Sequence, residues 1–404
     1  MKEKIMIKFL LMQQPSSTSL IDHHLFEMYK GNLEIVLITG KESKRKVFHN
    51  NTKVVHLNNY FAEEAFKEIC DVIEKFKPDF IASNSEKDVY RVSCLRSLFN
   101  IQGLKSNFGI FFRDKVKMKS LFEMANIPYT PYCHPYSLEE IVDFQNEHKK
   151  IVLKPISGAG SVGVEIFENS EEILKYFKNH GNVMDLINGS YILEKFINGN
   201  VFHVDVLSYK NNPLLIIPSK YVNPPHEFLQ KNIGGVLLQE SSMEYKILKE
   251  YSEKIYSVLP EEQYITAIHF EVFQDEYGNF YAGEVAARTG GGMIKDNITQ
   301  KYKINISLAS YDLWISPKQL EKQIGEKENN LSYGYFMITS DAYCVEKLNK
   351  EEFEIEKLWI ADKAINKHAT SSVDAKAGML LKGENEKEVI RKINNIESIL
   401  KINN

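Results

Sequence analysis

Only four of the 404 residues are cysteine, and no two stand in a C-x-x-C spacing. Cys70, Cys94, Cys133 and Cys344 are scattered, which excludes a legible disulfide framework or thiolate metal site and reads as reduced thiols of a cytoplasmic protein. Charge of one sign is lacking as well: 50 Lys and Arg against 54 Asp and Glu leave a formal net charge of -4 and no dominant basic block. A nucleic-acid partner is therefore disfavoured, because phosphate binding leaves a basic patch. Long hydrophobic runs are missing. Ile5–Met12 is broken by Lys8, stops at Gln13-Gln14-Pro15 and has no small-residue cleavage site, so it reads as a buried strand and not as a membrane span or leader. Internal repeats and low-complexity segments are absent too.

What is present is a chain that is 43% hydrophobic and long enough for two or three packed domains. The first stretch alternates strands (Ile5–Met12, Leu33–Thr39, Lys53–Leu57, Asp79–Ser83) with helices (Ala62–Phe76, Asp88–Phe99), the order of a small parallel α/β domain. Arg113–Ala125 reads as a further helix. The pattern then becomes antiparallel α+β. Strands are expected at Ile151–Pro155, Val162–Phe167, Tyr191–Phe196, Val201–Ser208 and Leu214–Ser219, the last two joined by a turn at Asn211-Asn212-Pro213. Helices are expected at Ser170–His180 and Met243–Val258, and Thr266–Phe273 and Asn279–Ala286 form a hairpin around Asp275–Gly278. The tail ends in a helix from Glu386 to about Leu400.

Gly158-Ala-Gly160-Ser-Val-Gly163 matches G-x-G-x-x-G, but the dinucleotide reading of that motif requires a helix after it. Val162–Phe167 is β-branched and alternating instead. Two readings remain: a plain hairpin turn without a ligand, or, favoured, a flexible hairpin whose glycines let backbone N–H groups close over phosphates. Lys154, just before the loop, is placed to add an ammonium; alone it reads as an ordinary surface lysine.

Glu271 and Glu284 lie on the two arms of the last hairpin. Glu271 is expected to share a face with His269 and Phe273, and Glu284 with Ala282 and Ala286. Flanked by Phe270, Val272, Val285 and Ala286, two such acids are costly to bury unpaired. A Mg²⁺ ion that also contacts phosphate removes that cost; so does an ion pair with Arg288, or exposure of the pair at a sheet edge, and the residues alone leave metal binding and these plainer readings open.

Taken together, these features resemble the ATP-grasp superfamily across essentially the whole chain. The matching elements run in the family's order: Lys115 in Arg113-Asp-Lys-Val-Lys; Lys154 with the loop from Ser157 to Gly163; the hinge Ile192-Leu-Glu-Lys-Phe-Ile-Asn-Gly199; His269-Phe-Glu271; and Glu284-Val-Ala-Ala-Arg288 before Gly290-Gly291-Gly292. The resemblance implies an N-terminal α/β domain over 1–110, an ATP-grasp core over 111–330 with two α+β subdomains clamping ATP, and a small C-terminal α+β domain over 331–404. It implies ATP contacts from Lys115, Lys154, Ser157, Gly158, Gly160, Ser161, Gly163, Glu194, Lys195, Phe196 and Ile197. It further implies Mg²⁺ (or Mn²⁺) held by Glu271 and Glu284, and a substrate carboxylate met by Arg288, with Lys154 and Arg288 as catalytic residues.

Two positions depart from the family pattern. Val201 stands where an acid commonly holds the ribose; either His203 and Asp205, on one face of that strand, substitute for it, or the ribose is held loosely. Ala286 stands where E-x-N-x-R carries an amide, a form associated with carboxylate–amine ligases resembling bacterial amino-acid ligases. The implied reaction passes the γ-phosphate to a carboxylate and lets a nucleophile displace phosphate from the acylphosphate. The acceptor is expected to be an amine, as in joining two amino acids. The alternatives are the thiol of an acyl carrier protein taking an amino acid such as glutamate, and a non-catalytic ATP-binding module. His226 and Phe228, in the segment Tyr221–Gln230, and Gly291 and Gly292 are the candidate substrate contacts, and a homodimer is a possible assembly.

Overall fold

The computed structural model describes residues 6–180, 184–223, 232–318, 320, 331–339, 348, 351–360 and 375–402. Its first unit is a four-stranded parallel sheet, in the order β3 (Thr52–Leu57), β2 (Leu33–Gly40), β1 (Ile7–Met12), β4 (Phe80–Ala82). β1 and β2 read as nearly continuous apolar runs because helices cover both faces of the sheet. Helix Glu64–Phe76 buries Ala65, Ile69, Ile73 and Phe76, a single stripe at helical spacing, and ends at Lys77 in the left-handed conformation (φ 52°).

Helix Glu86–Leu98 begins two residues before the expected Asp88. Helix Lys115–Met124 starts later than expected, because the Asp114 carboxylate caps it by accepting from the N–H groups of Val116 and Lys117.

A second sheet has the order β5 (Tyr132–Cys133), β8 (Tyr191–Lys195), β6 (Ile151–Pro155), β7 (Glu165–Phe167), all antiparallel. Helices Leu138–His148 and Ser170–His180 pack beside it. A Ser137/Glu140 capping box starts the first of these helices.

The third sheet has eight strands, in the order β13 (Phe280–Ala286), β12 (Ala267–Asp275), β9 (Gly199–Tyr209), β10 (Asn212–Asn223), β11 (Ile233–Leu237), β14 (Ser332–Ile338), β16 (Ala377–Gly383), β15 (Ile355–Ile360). The strands beyond residue 331 thus continue the central sheet through β11 and β14 and do not form a sheet of their own. The β9–β10 turn falls one residue earlier than expected, at Lys210-Asn211. Both residues have positive φ (47° and 61°), the backbone of a two-residue hairpin that matches strand twist. Pro213 then sits at a register shift in β10, where its missing N–H costs no ladder bond.

One face of the large sheet packs on helices Lys115–Met124 and Met243–Ser257 through Phe122, Phe202, Leu248, Ile255 and Phe270. The other packs on helices Ile294–Tyr302 and Ile306–Ile315 through Ile217, Ile298, Leu313 and Tyr335. Among the described residues no helix is long and apolar enough to cross a membrane.

Candidate functional site

The two antiparallel sheets face each other across a cavity of about 420 Å³. Its wall contains Lys115, Lys154, Gly158, Gly160, Ser161, Glu194, Lys195, Phe196, Ile197, Glu271, Glu284, Arg288, Gly291 and Gly292, so residues spread over 178 positions of sequence meet in one place. Ser157 and Gly163 belong to the same loop but do not line the cavity. His226 and Phe228 lie outside the described residues.

The glycine loop follows β6 and leads into β7, which pairs back on β6. A strand after the loop removes the dinucleotide reading, because no helix N-terminus is offered to a pyrophosphate. The strand itself begins only at Glu165. Val162 and Val164 stay in the turn, where Gly160 (φ 64°), Ser161 (φ 60°) and Gly163 (φ 73°) all take left-handed backbone. The Gly158 carbonyl accepts from Arg113 Nη1 (3.2 Å) and from Lys115 Nζ (3.3 Å).

Both loop-side lysines are already engaged by acids. Lys154 Nζ lies 2.6 Å from Glu194 Oε2 and 3.6 Å from Glu284 Oε1, and Lys115 Nζ lies 3.4 Å from Glu284 Oε2. A third lysine, Lys119, reaches the other oxygen of Glu194 at 2.5 Å and donates to Thr130 Oγ1 at 2.7 Å. Glu194, Lys119 and Lys154 are all buried. Burial pushes the Glu194 pKa up, but the two ammonium groups overcome it and hold the carboxyl at about 2. Burial lowers the Lys154 pKa, and Glu194 and Glu284 more than restore it, so this lysine keeps its charge.

After β8 the hinge turns into β9. Lys195 N–H donates to the Pro131 carbonyl at 2.9 Å, so the backbone donor of this expected ATP contact is committed. Phe196 lies under Lys150, whose ammonium is 4.5 Å from the ring centroid.

β12 and β13 place Glu271 directly opposite Glu284. The expected face of Glu284 requires correction. A bulge inserts Gly283 between the Glu271–Glu284 and Val272–Ala282 pairs, so Ala282 turns into the core with Val285 while Glu284 meets the cavity. A Cβ at Gly283 would stand 2.5 Å from a Phe273 ring carbon, so any larger residue there forces the ring to move. Burial raises the pKa of Glu271, but His269 and then Lys154 outweigh it and bring the carboxyl below the usual range.

His203 also requires correction. Expected at the ribose, it is 1% exposed and is absent from the cavity wall. Its Nδ1 lies 3.0 Å from Asp205 Oδ2, and Asp205 further accepts from Gly290 N–H at 2.6 Å and contacts His269 Nδ1 at 3.3 Å. The pair is therefore an internal anchor for the glycine turn. Burial lowers the His269 pKa, and the Asp205 carboxylate, helped by Glu271, carries it up to about 9.

Arg288 pairs with neither Glu271 nor Glu284. Its guanidinium is bound to Glu86 Oε2 through Nε (3.1 Å) and Nη2, and Nη1 donates to the Thr289 carbonyl at 2.8 Å. Next to it, Asn84 clasps Thr289, accepting from its N–H (2.9 Å) and donating to Oγ1 (2.7 Å). Glu86, Asn84 and Lys119 were not singled out from sequence. Lys119 had a signal, four residues from Lys115 on one helix; Glu86 had only its place at a helix start.

The donor set fits a magnesium nucleotide: carboxylates for a hard cation, beside ammonium groups for phosphate oxygens. Residues 112–260 match the ATP-grasp domain family. The chain is 26% identical over 322 residues to an L-arginine-specific L-amino acid ligase of Bacillus subtilis, covering 76% of each protein. It is 26% identical over 182 residues to a D-alanine–D-alanine ligase of Wolbachia pipientis wMel, covering 43% of this chain and 54% of that one. In fold it resembles an L-amino acid ligase from Bacillus licheniformis (TM-score 0.72, 16% identity, 97% of both chains). It also resembles an N5-carboxyaminoimidazole ribonucleotide synthetase in complex with ADP (TM-score 0.70, 12% identity, 100% of both chains). Residues 112–260 thus match an ATP-grasp domain, and across most of its length the chain is similar to carboxylate–amine ligases.

Proposed function

We propose that this protein is an ADP-forming ligase that phosphorylates the carboxylate of an amino acid with ATP and joins the acyl group to the amine of a second amino acid. The observation that carries the reading is the meeting of Lys115, Lys154, Glu271, Glu284 and Arg288 in one cavity. The reading divides the chain at 110 and 330, as the sequence suggested, with ATP held between the two antiparallel sheets.

In this reading the lysine–Glu284 contacts are placeholders. As phosphates enter, Lys115 and Lys154 exchange Glu284 for phosphate oxygens, and Glu284, with Glu271, is freed to hold Mg²⁺. That ion, when bound, neutralises charge on the transferring phosphoryl group. Glu194 stays with Lys119 and Lys154 and keeps the Lys154 ammonium aimed at the cavity. Ile197 closes the adenine end. Arg288, held by Glu86, presents its planar fork to the substrate carboxylate and then to the oxyanion that forms when the amine attacks. The loop Gly158–Gly163 excludes water from the acylphosphate. The amine displaces phosphate and gives up its proton to solvent or to the departing phosphate, so no protein nucleophile is required.

An amine acceptor is favoured over a thiol because both sequence relatives named above are amino-acid ligases. The test is ADP and phosphate release over a panel of amino acids, singly and in pairs, with mass spectrometry of the product. Stimulation by specific amino acids with a dipeptide formed is the expected result. Turnover to AMP and pyrophosphate, or no stimulation by any amino acid, would remove the reading.

A further inference from the structure

Strands β9, β12 and β13 align two rows of side chains under the cavity. One row is Asp205, His269 and Ala286; the next is His203, Glu271 and Glu284. The second row supplies the carboxylate pair already described. In the first row β13 offers only a methyl group, since Ala286 has no donor atom. His269 stands directly opposite Ala286 and lines the cavity two residues from Glu271, on the same face of β12. Its Nε2 is 3.9 Å from Glu271 Oε1. Two neighbouring ligands of a six-coordinate ion with bonds of about 2.1 Å stand roughly 3 Å apart, so a small side-chain adjustment brings both atoms onto one cation.

The other ring nitrogen is already committed. His269 Nδ1 lies 3.3 Å from both oxygens of Asp205, which is fully buried and further held by His203 and Gly290. A carboxylate on one imidazole nitrogen fixes the ring and turns the opposite nitrogen outward, where a cation that displaces its proton can bind it, the arrangement in which histidines are held when they ligate metals. The buried trio His203, Asp205 and His269 is not itself a cation site, because Asp205 is filled by those three partners and does not reach the cavity.

We infer that His269 Nε2 is a direct ligand of the nucleotide-bound divalent ion beside Glu271, and that this imidazole tilts the site's preference from Mg²⁺ toward Mn²⁺. Mn²⁺ shares the oxygen ligands of Mg²⁺ but, as a first-row transition ion, accepts an imidazole nitrogen more readily than Mg²⁺ does. The inference rests on the ATP-dependent reading of the cavity.

The test uses the full chain with Mn²⁺ and ADP, and pulsed electron paramagnetic resonance of the bound Mn²⁺. The expected result is a nitrogen coupling that changes when the protein's histidines carry the heavy nitrogen isotope. The coupling should persist in His203→Gln and vanish in His269→Gln. His269→Gln should also weaken Mn²⁺ binding by about tenfold or more, the low end of losses seen on disturbing a metal's ligand shell, and weaken Mg²⁺ less. Bound Mn²⁺ without a histidine coupling in the unmutated protein overturns the ligand assignment while leaving the ATP-dependent reading intact. Failure of the unmutated protein to bind Mn²⁺–ADP at all overturns both. Because the labelled native chain answers the question alone, the inference does not depend on either variant folding.

Discussion

Arg288, just past the end of the β12–β13 hairpin, is clamped by Glu86, the first residue of a helix in the parallel α/β unit, 202 positions earlier in sequence. This guanidinium, which lines the cavity, is thus oriented by one part of the chain and carried by another. Burial raises the Glu86 pKa, but Arg288 outweighs it and keeps the carboxyl below its ordinary range. Arg288→Lys keeps a charge but loses the planar fork. It is expected to leave Mg-ATP affinity almost unchanged and lower the rate by about a hundredfold or more, the size of a lost oxyanion donor. Calorimetry with Mg-ATP beside steady-state kinetics checks this. A variant that binds ATP poorly but turns over normally once saturated would make Arg288 a structural partner only.

Glu284→Gln tests the exchange between lysines and metal. The amide keeps the shape of the side chain but cannot neutralise a cation, so turnover should vanish while circular dichroism stays native. The unchanged Glu271 alone should not restore the Mg²⁺ requirement. Near-normal activity with the same Mg²⁺ dependence would hand the ligand role to another residue.

The Glu194 triad predicts a pH effect of definite sign. Glu194 titrates at about 2 in the fold against 4.5 for a free glutamate. A depressed carboxyl stabilises the fold above its unfolded pKa, and that contribution is lost as pH falls from about 4.5 toward about 2. Glu194→Gln should flatten the stability profile in that window. At neutral pH it should cost about 3–5 kcal/mol, because it leaves Lys119 and Lys154 buried beside a neutral group. Urea unfolding of both proteins between those pH values reads this directly; parallel profiles would show that another acid governs the transition.

The loop from Gly158 to Gly163 should exchange its amide hydrogens quickly in the free protein and slowly with Mg-ATP. Three glycines in six residues supply little local order, and the loop must open for nucleotide to enter. Equal protection in both states would contradict a lid.

The positions of Lys115, Lys154, Glu271 and Glu284 on their elements were legible because each sits in a local pattern: a capped helix start, a strand before glycines, an alternating hairpin. The parallel and antiparallel units could be told apart for the same reason. What could not be read depends on distant partners. Glu86 meets Arg288 only through the packing of two units, and Lys119 meets Glu194 only when helix Lys115–Met124 lies behind β8. The Gly283 bulge reverses the face of Ala282, and one extra residue in a strand leaves no mark on an alternating sequence. His203 was given an outward role by its alternation with Val201 and Asp205. In fact that face of β9 is covered, with the His203 ring 4.8 Å from Tyr221 and 5.4 Å from His269.

The central claim is that a substrate carboxylate takes the γ-phosphate of ATP before the amine attacks. It is tested most directly by supplying an accepted amino acid whose carboxylate carries heavy oxygen and weighing the inorganic phosphate released. An acylphosphate route moves one carboxylate oxygen into that phosphate, and the account predicts labelled phosphate together with ADP. Unlabelled phosphate during active ligation, or label recovered in AMP, would contradict it.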